Sequence, residues 1–137
     1  MTYASELVLL QTRFNTGWNN ITPVHWPNAE FESKGKEEWV RFRILNEVSN
    51  QAAIGGNNQH LYRYPGFVSI IVFVKPNIGS ARALFLADTI DDIWRGADFS
   101  GIKMGVPSIN PVGVVEGMYQ VNVLCPFYRD EIKSRSV

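Results

Sequence analysis

Phe67-Val68-Ser69-Ile70-Ile71-Val72-Phe73-Val74 decides the fold of this chain. Side chains alternate along a strand, so Val68, Ile70, Val72 and Val74 point to one face, and Phe67, Ile71 and Phe73 to the other. Both faces are apolar apart from Ser69, which predicts a central strand covered on both sides. A turn at Pro65-Gly66 precedes the run, and another across Lys75-Pro76-Asn77-Ile78-Gly79 follows it. From Ser80 to Arg95 the pattern becomes helical. Ala83, Leu86, Ala87, Ile90, Ile93 and Trp94 form one apolar stripe, and Arg82, Asp88, Asp91, Asp92 and Arg95 fall mostly off it. Gly79-Ser80 offers a start signal, with the serine oxygen accepting from free backbone N–H groups, and Gly96 offers a stop.

Working outward from this unit, Trp39 to Val48 alternates as a strand. Val40, Phe42, Ile44 and Val48 lie on its core face, and Trp39, Arg41, Arg43, Leu45 and Glu47 on a mixed one. Ser49 to Tyr64, with Gly55-Gly56-Asn57-Asn58 at its middle, reads as a long hairpin loop, mobile in part. Earlier in the chain, Tyr3 to Trp18 reads as a helix with Leu7, Leu10, Phe14 and Trp18 on one side. Val8 and Leu9 widen its apolar surface, and Gly17 with Asn19-Asn20 ends it. Between the two, Pro23 and Pro27 make Ile21 to Phe31 an extended or edge segment, and Ser33 to Glu38 a solvated loop. Beyond the second helix come a turn at Asp98 to Gly101, a weak strand at Ile102 to Val106 and a twisted hairpin region punctuated by Asn110-Pro111, Gly113 and Gly117. Met118 to Tyr128 is the last strand, with Tyr119, Val121, Val123, Cys125 and Phe127 inward and Gln120, Asn122 and Leu124 opposite. The tail from Arg129 onward is polar apart from Ile132 and Val137 and is expected to fray or to dock on a partner. These elements describe one α+β domain over residues 1–137: a twisted sheet, antiparallel or mixed, with an N-terminal helix and a second helix packed on it.

Composition excludes several classes. At 137 residues, 45% hydrophobic and 19% charged, the chain is an ordinary globule with a buried core. Lys+Arg 13 against Asp+Glu 13 gives no general attraction to nucleic acid or anionic membrane. The Val68–Val74 run is too short for a spanning helix, and the first residues lack the basic start of a secretion signal. One cysteine, Cys125, cannot form an internal disulfide.

Little in the chain suggests catalysis. His25 and His60 have no second ligand at a metal-binding spacing. Cys125, inward on a strand, reads as a small hydrophobe. Asp88, Asp91 and Asp92 read as a solvated helix face as readily as a cation site, and Gly79-Ser80 as a cap. No cofactor is expected. Arg41, Arg43, Gln120 and Asn122 are more informative: if their strands share a sheet, they lie on one face with Ile71 and Phe73. A subunit interface would explain arginines beside large apolar residues, and so would cover by the first helix or a loop.

Arg13-Phe14, Pro23-Val24-His25-Trp26-Pro27-Asn28 with Phe31, Trp39-Val40-Arg41-Phe42, Arg63-Tyr64-Pro65-Gly66-Phe67, Phe73-Val74-Lys75-Pro76, Gly79 before an alanine-containing helix, and Tyr119-Gln120-Val121 through Pro126-Phe127 follow one another in an order and spacing that resembles the tail terminator, or tail completion, proteins of long-tailed bacteriophages and prophages. The resemblance implies a structural virion protein without enzymatic activity. It implies a homo-hexameric ring on the head-proximal end of the tail tube, ending tube polymerisation and presenting a surface for head attachment, first assembled in the host cytoplasm. The implied partners are the chain itself, the tail tube protein and the head–tail connector protein, with DNA passing through unrecognised and no membrane involved. Candidate interface residues are Arg41, Arg43, Ile71, Phe73, Gln120 and Asn122 on the sheet, and Val8 and Leu9 on the first helix. The candidate docking loop is Ile54, Gly55, Gly56, Asn57, Asn58, Gln59 and His60. A connector or neck protein, and a small oligomeric enzyme with a site between subunits, remain alternatives.

Overall fold

A computed structural model of the chain describes residues 2–54 and 59–134. In chain order the elements are α1 (Tyr3–Trp18), β1 (Val24–His25), β2 (Glu38–Asn46), β3 (Asn50–Ile54), β4 (Gln59–Val74), α2 (Ala81–Trp94), β5 (Asp98–Phe99), β6 (Ile102–Met104), β7 (Ser108–Val115) and β8 (Met118–Ser134). All the described strands join one sheet, ordered β1-β2-β4-β8-β6-β5, with β3 alongside the first part of β4 and β7 alongside the first part of β8. The β1–β2 pair is parallel and every other pair is antiparallel, so the domain is α+β with a mixed sheet.

β4 is the central strand, with β2 on one edge and β8 along the other. Val68, Ile70, Val72 and Val74 are buried with Val40 and Phe42 of β2 and with Val121, Val123, Cys125 and Phe127 of β8. Both helices pack on this same face. Leu10, Phe14 and Trp18 of α1 enter its core together with the whole predicted stripe of α2. Phe14 sits at the centre, with its ring 5.4 Å from Trp18, 5.7 Å from Phe42 and 6.1 Å from Trp94. Among the described residues no helix lies on the other face of β4, which corrects the expectation of a strand covered on both sides. There Trp39 stacks on Phe73 at 4.9 Å, while Phe67 and Ile71 remain half-buried. The run was apolar on this side because rings and a cation cover it locally.

Turn chemistry explains the connections. Asn19, at the C-cap of α1, and Asn20 take left-handed backbone, as does Gly96 after α2. Glu116 and Gly117 both have positive φ, the geometry of a two-residue hairpin turn, and join β7 to β8. Gly66 is needed for close approach: a Cβ there would stand 2.8 Å from the Phe127 ring and 2.9 Å from the Leu45 carbonyl oxygen. Ser80 precedes α2 without a side-chain capping bond, because its own backbone is already helical; its carbonyl accepts from Leu84 instead. At the other helix, Thr2 and Ser5 form a reciprocal capping box.

Three expectations along the strands change. Within the hairpin excursion from Ser49 to Tyr64, β3 pairs with β4 from Asn50↔Arg63 to Ile54↔His60, making a strand-built arm where a mobile loop was expected. The tail does not fray at Arg129. β8 continues to Ser134 against the opening of β4, locked by Arg63 and Asp130, whose side chains form two bonds of 2.9 Å. This bond to the Arg63 guanidinium holds the Asp130 carboxyl below the usual carboxylate range. Val48, expected on the core face, is exposed beyond the end of β2 at Asn46.

Candidate subunit interface

The sheet register assembles the uncovered face row by row. Trp39 opposes Phe73, which opposes Gln120; Arg41 opposes Ile71, which opposes Asn122; Arg43 opposes Ser69, which opposes Leu124. Arg41, Arg43, Ile71, Phe73, Gln120 and Asn122 therefore share one surface. Directly opposed residues on a sheet point the same way, so three strands of alternating side chains suffice to build it. The first helix does not cover it, since that helix lies across the sheet. Phe31 reaches its margin, with its ring 5.9 Å from Trp39 and the Lys36 ammonium 5.1 Å from its own centroid.

The six side chains differ in what they offer. Gln120 Nε2 donates to the Val115 carbonyl at 3.2 Å, and Asn122 Oδ1 accepts from the Ser69 hydroxyl at 3.0 Å, so both amides are engaged within the chain. Phe73 is buried by Trp39. Arg41 is half-buried, its guanidinium 5.6 Å from the Phe73 ring centroid, and its buried Nε has no hydrogen-bond acceptor among the described residues. Arg43 is exposed. Arg13, Arg63, Arg82, Arg95 and Arg129 each hydrogen-bond an oxygen of the same chain. Among the described residues, Arg41 and Arg43 do not. With His25, Asn28 and Trp26 they line a cleft of about 290 Å³ at the β1–β2 edge.

Val8 and Leu9 lie on the opposite side of the sheet. Val8 is 60% exposed, and Leu9 borders a largely apolar groove of about 610 Å³ between α1 and α2, with Arg13, Gly17, Ile93 and Phe99. On the same layer Leu84 and Phe85 of α2 are exposed. The sequence pattern missed these two, although both are apolar residues off the buried stripe. Ile54 ends β3 and His60 belongs to the opening of β4, as does Gln59; Gly55, Gly56, Asn57 and Asn58 lie outside the described residues.

Other candidate groups are occupied structurally. His25 stacks on Phe31 at 5.0 Å. Asp91 is buried and clamped by Arg95 at 2.7 and 3.0 Å, while Asp88 and Asp92 are exposed, so the three carboxylates do not converge. Among the described residues no group of three or more His, Cys, Asp or Glu side chains could hold a metal ion. Burial pushes the Cys125 thiol up to about 12. A thiol reagent at neutral pH should therefore react with the folded chain at least about a hundredfold more slowly than with the unfolded one, as a colorimetric thiol assay with and without denaturant would measure.

Among the solved structures that match, one does so with a TM-score of 0.63 at 17% identity, covering 98% of this chain and 100% of that one, a likeness that shows the fold. No curated protein matches the sequence. The family model described as phage tail terminator protein matches residues 7–106, from the second turn of α1 to just past β6. With most of its length matched, this chain belongs to the phage tail terminator family, structural components of the virion tail.

Proposed function

We propose that the chain caps the head-proximal end of the tail tube as a homo-oligomeric, hexameric ring, ends tube polymerisation there, and presents the surface that receives the head–tail connector. One observation supports this above others: the subunit exposes two different patches on opposite sides of its sheet. One carries Arg41 and Arg43 beside Ile71; the other carries Val8, Leu84 and Phe85 on the helices. A heterologous contact between unlike patches generates a ring when its rotation closes. The balance of 13 basic and 13 acidic residues suits a pore that DNA crosses without being held. The end of the strand-built arm, around Ile54 and His60, is our candidate for meeting the tube or the connector.

Electron microscopy of tails made without this protein tests the reading. Abnormally long tubes support termination, whereas tails of normal length beside unjoined heads would assign the chain to the connector. At the subunit level, Arg43→Glu should weaken self-association roughly tenfold, because it reverses a charge on the proposed contact while leaving the core untouched. Sedimentation of the folded variant, with circular dichroism as the control for folding, gives the result; unchanged association would remove Arg43 from the interface.

A further inference from the structure

A heterologous ring joins two unlike surfaces of neighbouring subunits. We infer that the outward side of α2 on one subunit docks on the open β2 face of the next, with Asp88 and Asp92 received by Arg43 and Arg41. This rests on the ring reading and adds the identity of the contact.

Three observations carry it. First, Arg41 and Arg43 form no hydrogen bond or ion pair among the described residues, and the Arg41 Nε is buried without an acceptor. The Arg41 Nε is out of reach from outside, but the terminal nitrogens of both guanidiniums are open to an arriving carboxylate. Second, Asp88 and Asp92 are likewise exposed and unpaired among the described residues; Arg95, which senses Asp92, is already clamped by Asp91. Glu30, Glu32, Glu47, Asp98 and Glu116 are also exposed, but they stand on loops, on a turn or at strand ends. Asp88 and Asp92 stand one turn apart on a rigid helix. Third, the basic and acidic pairs lie on opposite sides of one sheet. A subunit cannot neutralise them within itself, whereas a second copy can.

The order of side chains agrees as well. Leu45, Arg43 and Arg41 follow one another on the same face of β2 at steps of about 7 Å. Phe85, Asp88 and Asp92 follow one another along α2 with rises of about 4.5 and 6 Å. In each set an apolar residue leads, Leu45 at 41% exposure and Phe85 at 53%, and two like charges come after it. The match therefore pairs apolar with apolar and carboxylate with guanidinium along a single line. A contact so built is heterologous, because the two sides use different surfaces.

Two double variants test this: Arg41→Glu with Arg43→Glu, and Asp88→Lys with Asp92→Lys. Each alone should raise the dissociation constant of self-association at least about tenfold, with unchanged circular dichroism. Mixed in equal amounts they should co-assemble to the wild-type sedimentation coefficient, since alternation matches every contact. Both variants assembling like wild type would overturn this contact and leave the ring intact. An arginine variant that still forms rings but no longer binds tails would also overturn it, by assigning the arginine face to the tube protein. A wild-type chain that is monomeric in solution and on isolated tails would remove both the ring and the contact.

Discussion

Trp94→Ala is expected to lower the stability of the folded chain by about 3 to 5 kcal/mol, the range for removing a large buried aromatic side chain. Trp94 is fully buried, its ring packed nearly parallel to Phe14 of α1 at 6.1 Å, and Phe14 in turn touches Trp18, Trp26 and Phe42 of β2. Truncation leaves a cavity where both helices meet the sheet, and the rigid sheet cannot collapse into it. Trp94→Phe separates two contributions. The indole Nε1 is buried with no acceptor among the described residues, and an unmade hydrogen bond of this kind costs about 1 to 3 kcal/mol. Phenylalanine removes that orphan donor along with part of the volume. Trp94→Phe should therefore cost at most about 2 kcal/mol, well under half the alanine loss. Urea denaturation midpoints at constant slope give the comparison; a Trp94→Ala midpoint close to wild type would place the ring outside the core.

The parts of the fold that could be read directly were those set by local periodicity. Ala83, Leu86, Ala87, Ile90, Ile93 and Trp94 repeat at helical spacing, and all are buried. The alternation of Trp39, Arg41 and Arg43 against Phe42 and Val40 fixed which side of β2 faces outward, because a one-residue slip would invert every side chain. That is why the mixed face could be assembled from separate strands before any pairing was known.

What stayed hidden depended on partners distant in sequence. Asn50–Ile54 joins two amides to two alanines and one isoleucine, and residues 129–134 are mostly polar, so neither stretch has a continuous core face. They become strands because each pairs with the opening of β4, a relation that no short window contains. The uncovered sheet face misled in the opposite direction. Ile71 and Phe73 look like core residues, but Trp39 and Arg41 shield them from within the same sheet. A run that is apolar on both faces therefore need not lie between two layers when one face is finished by stacked rings and a cation. That distinction matters for function, since a face closed by its own side chains is free to meet another subunit.

Glu6 carries the second large prediction. It falls four residues before Leu10 and eight before Phe14, on the same stripe of α1, yet a carboxylate at that position reads as solvent-facing unless a buried cation awaits it. That cation is Arg129. Both residues are about 1% exposed, with Arg129 Nε donating to Glu6 Oε1 at 3.0 Å. Asn46 Nδ2 donates to the other carboxylate oxygen at 3.1 Å, and the Tyr64 and Tyr3 rings lie 4.2 and 5.0 Å from the guanidinium. The pair ties the start of α1 to the junction where β4 and β8 leave the core for the arm. Arg129→Met should cost about 3 to 5 kcal/mol, because the Glu6 carboxylate would remain buried without its cation. Glu6→Leu should cost a similar amount, because it takes from the buried guanidinium the carboxylate bonded to it at 3.0 Å. The double variant removes both charges, so its loss should be smaller than the sum by about 2 kcal/mol or more. A denaturation cycle over the four proteins measures that coupling. Strict additivity would mean that Glu6 and Arg129 are held by their other neighbours and that the arm is anchored without them.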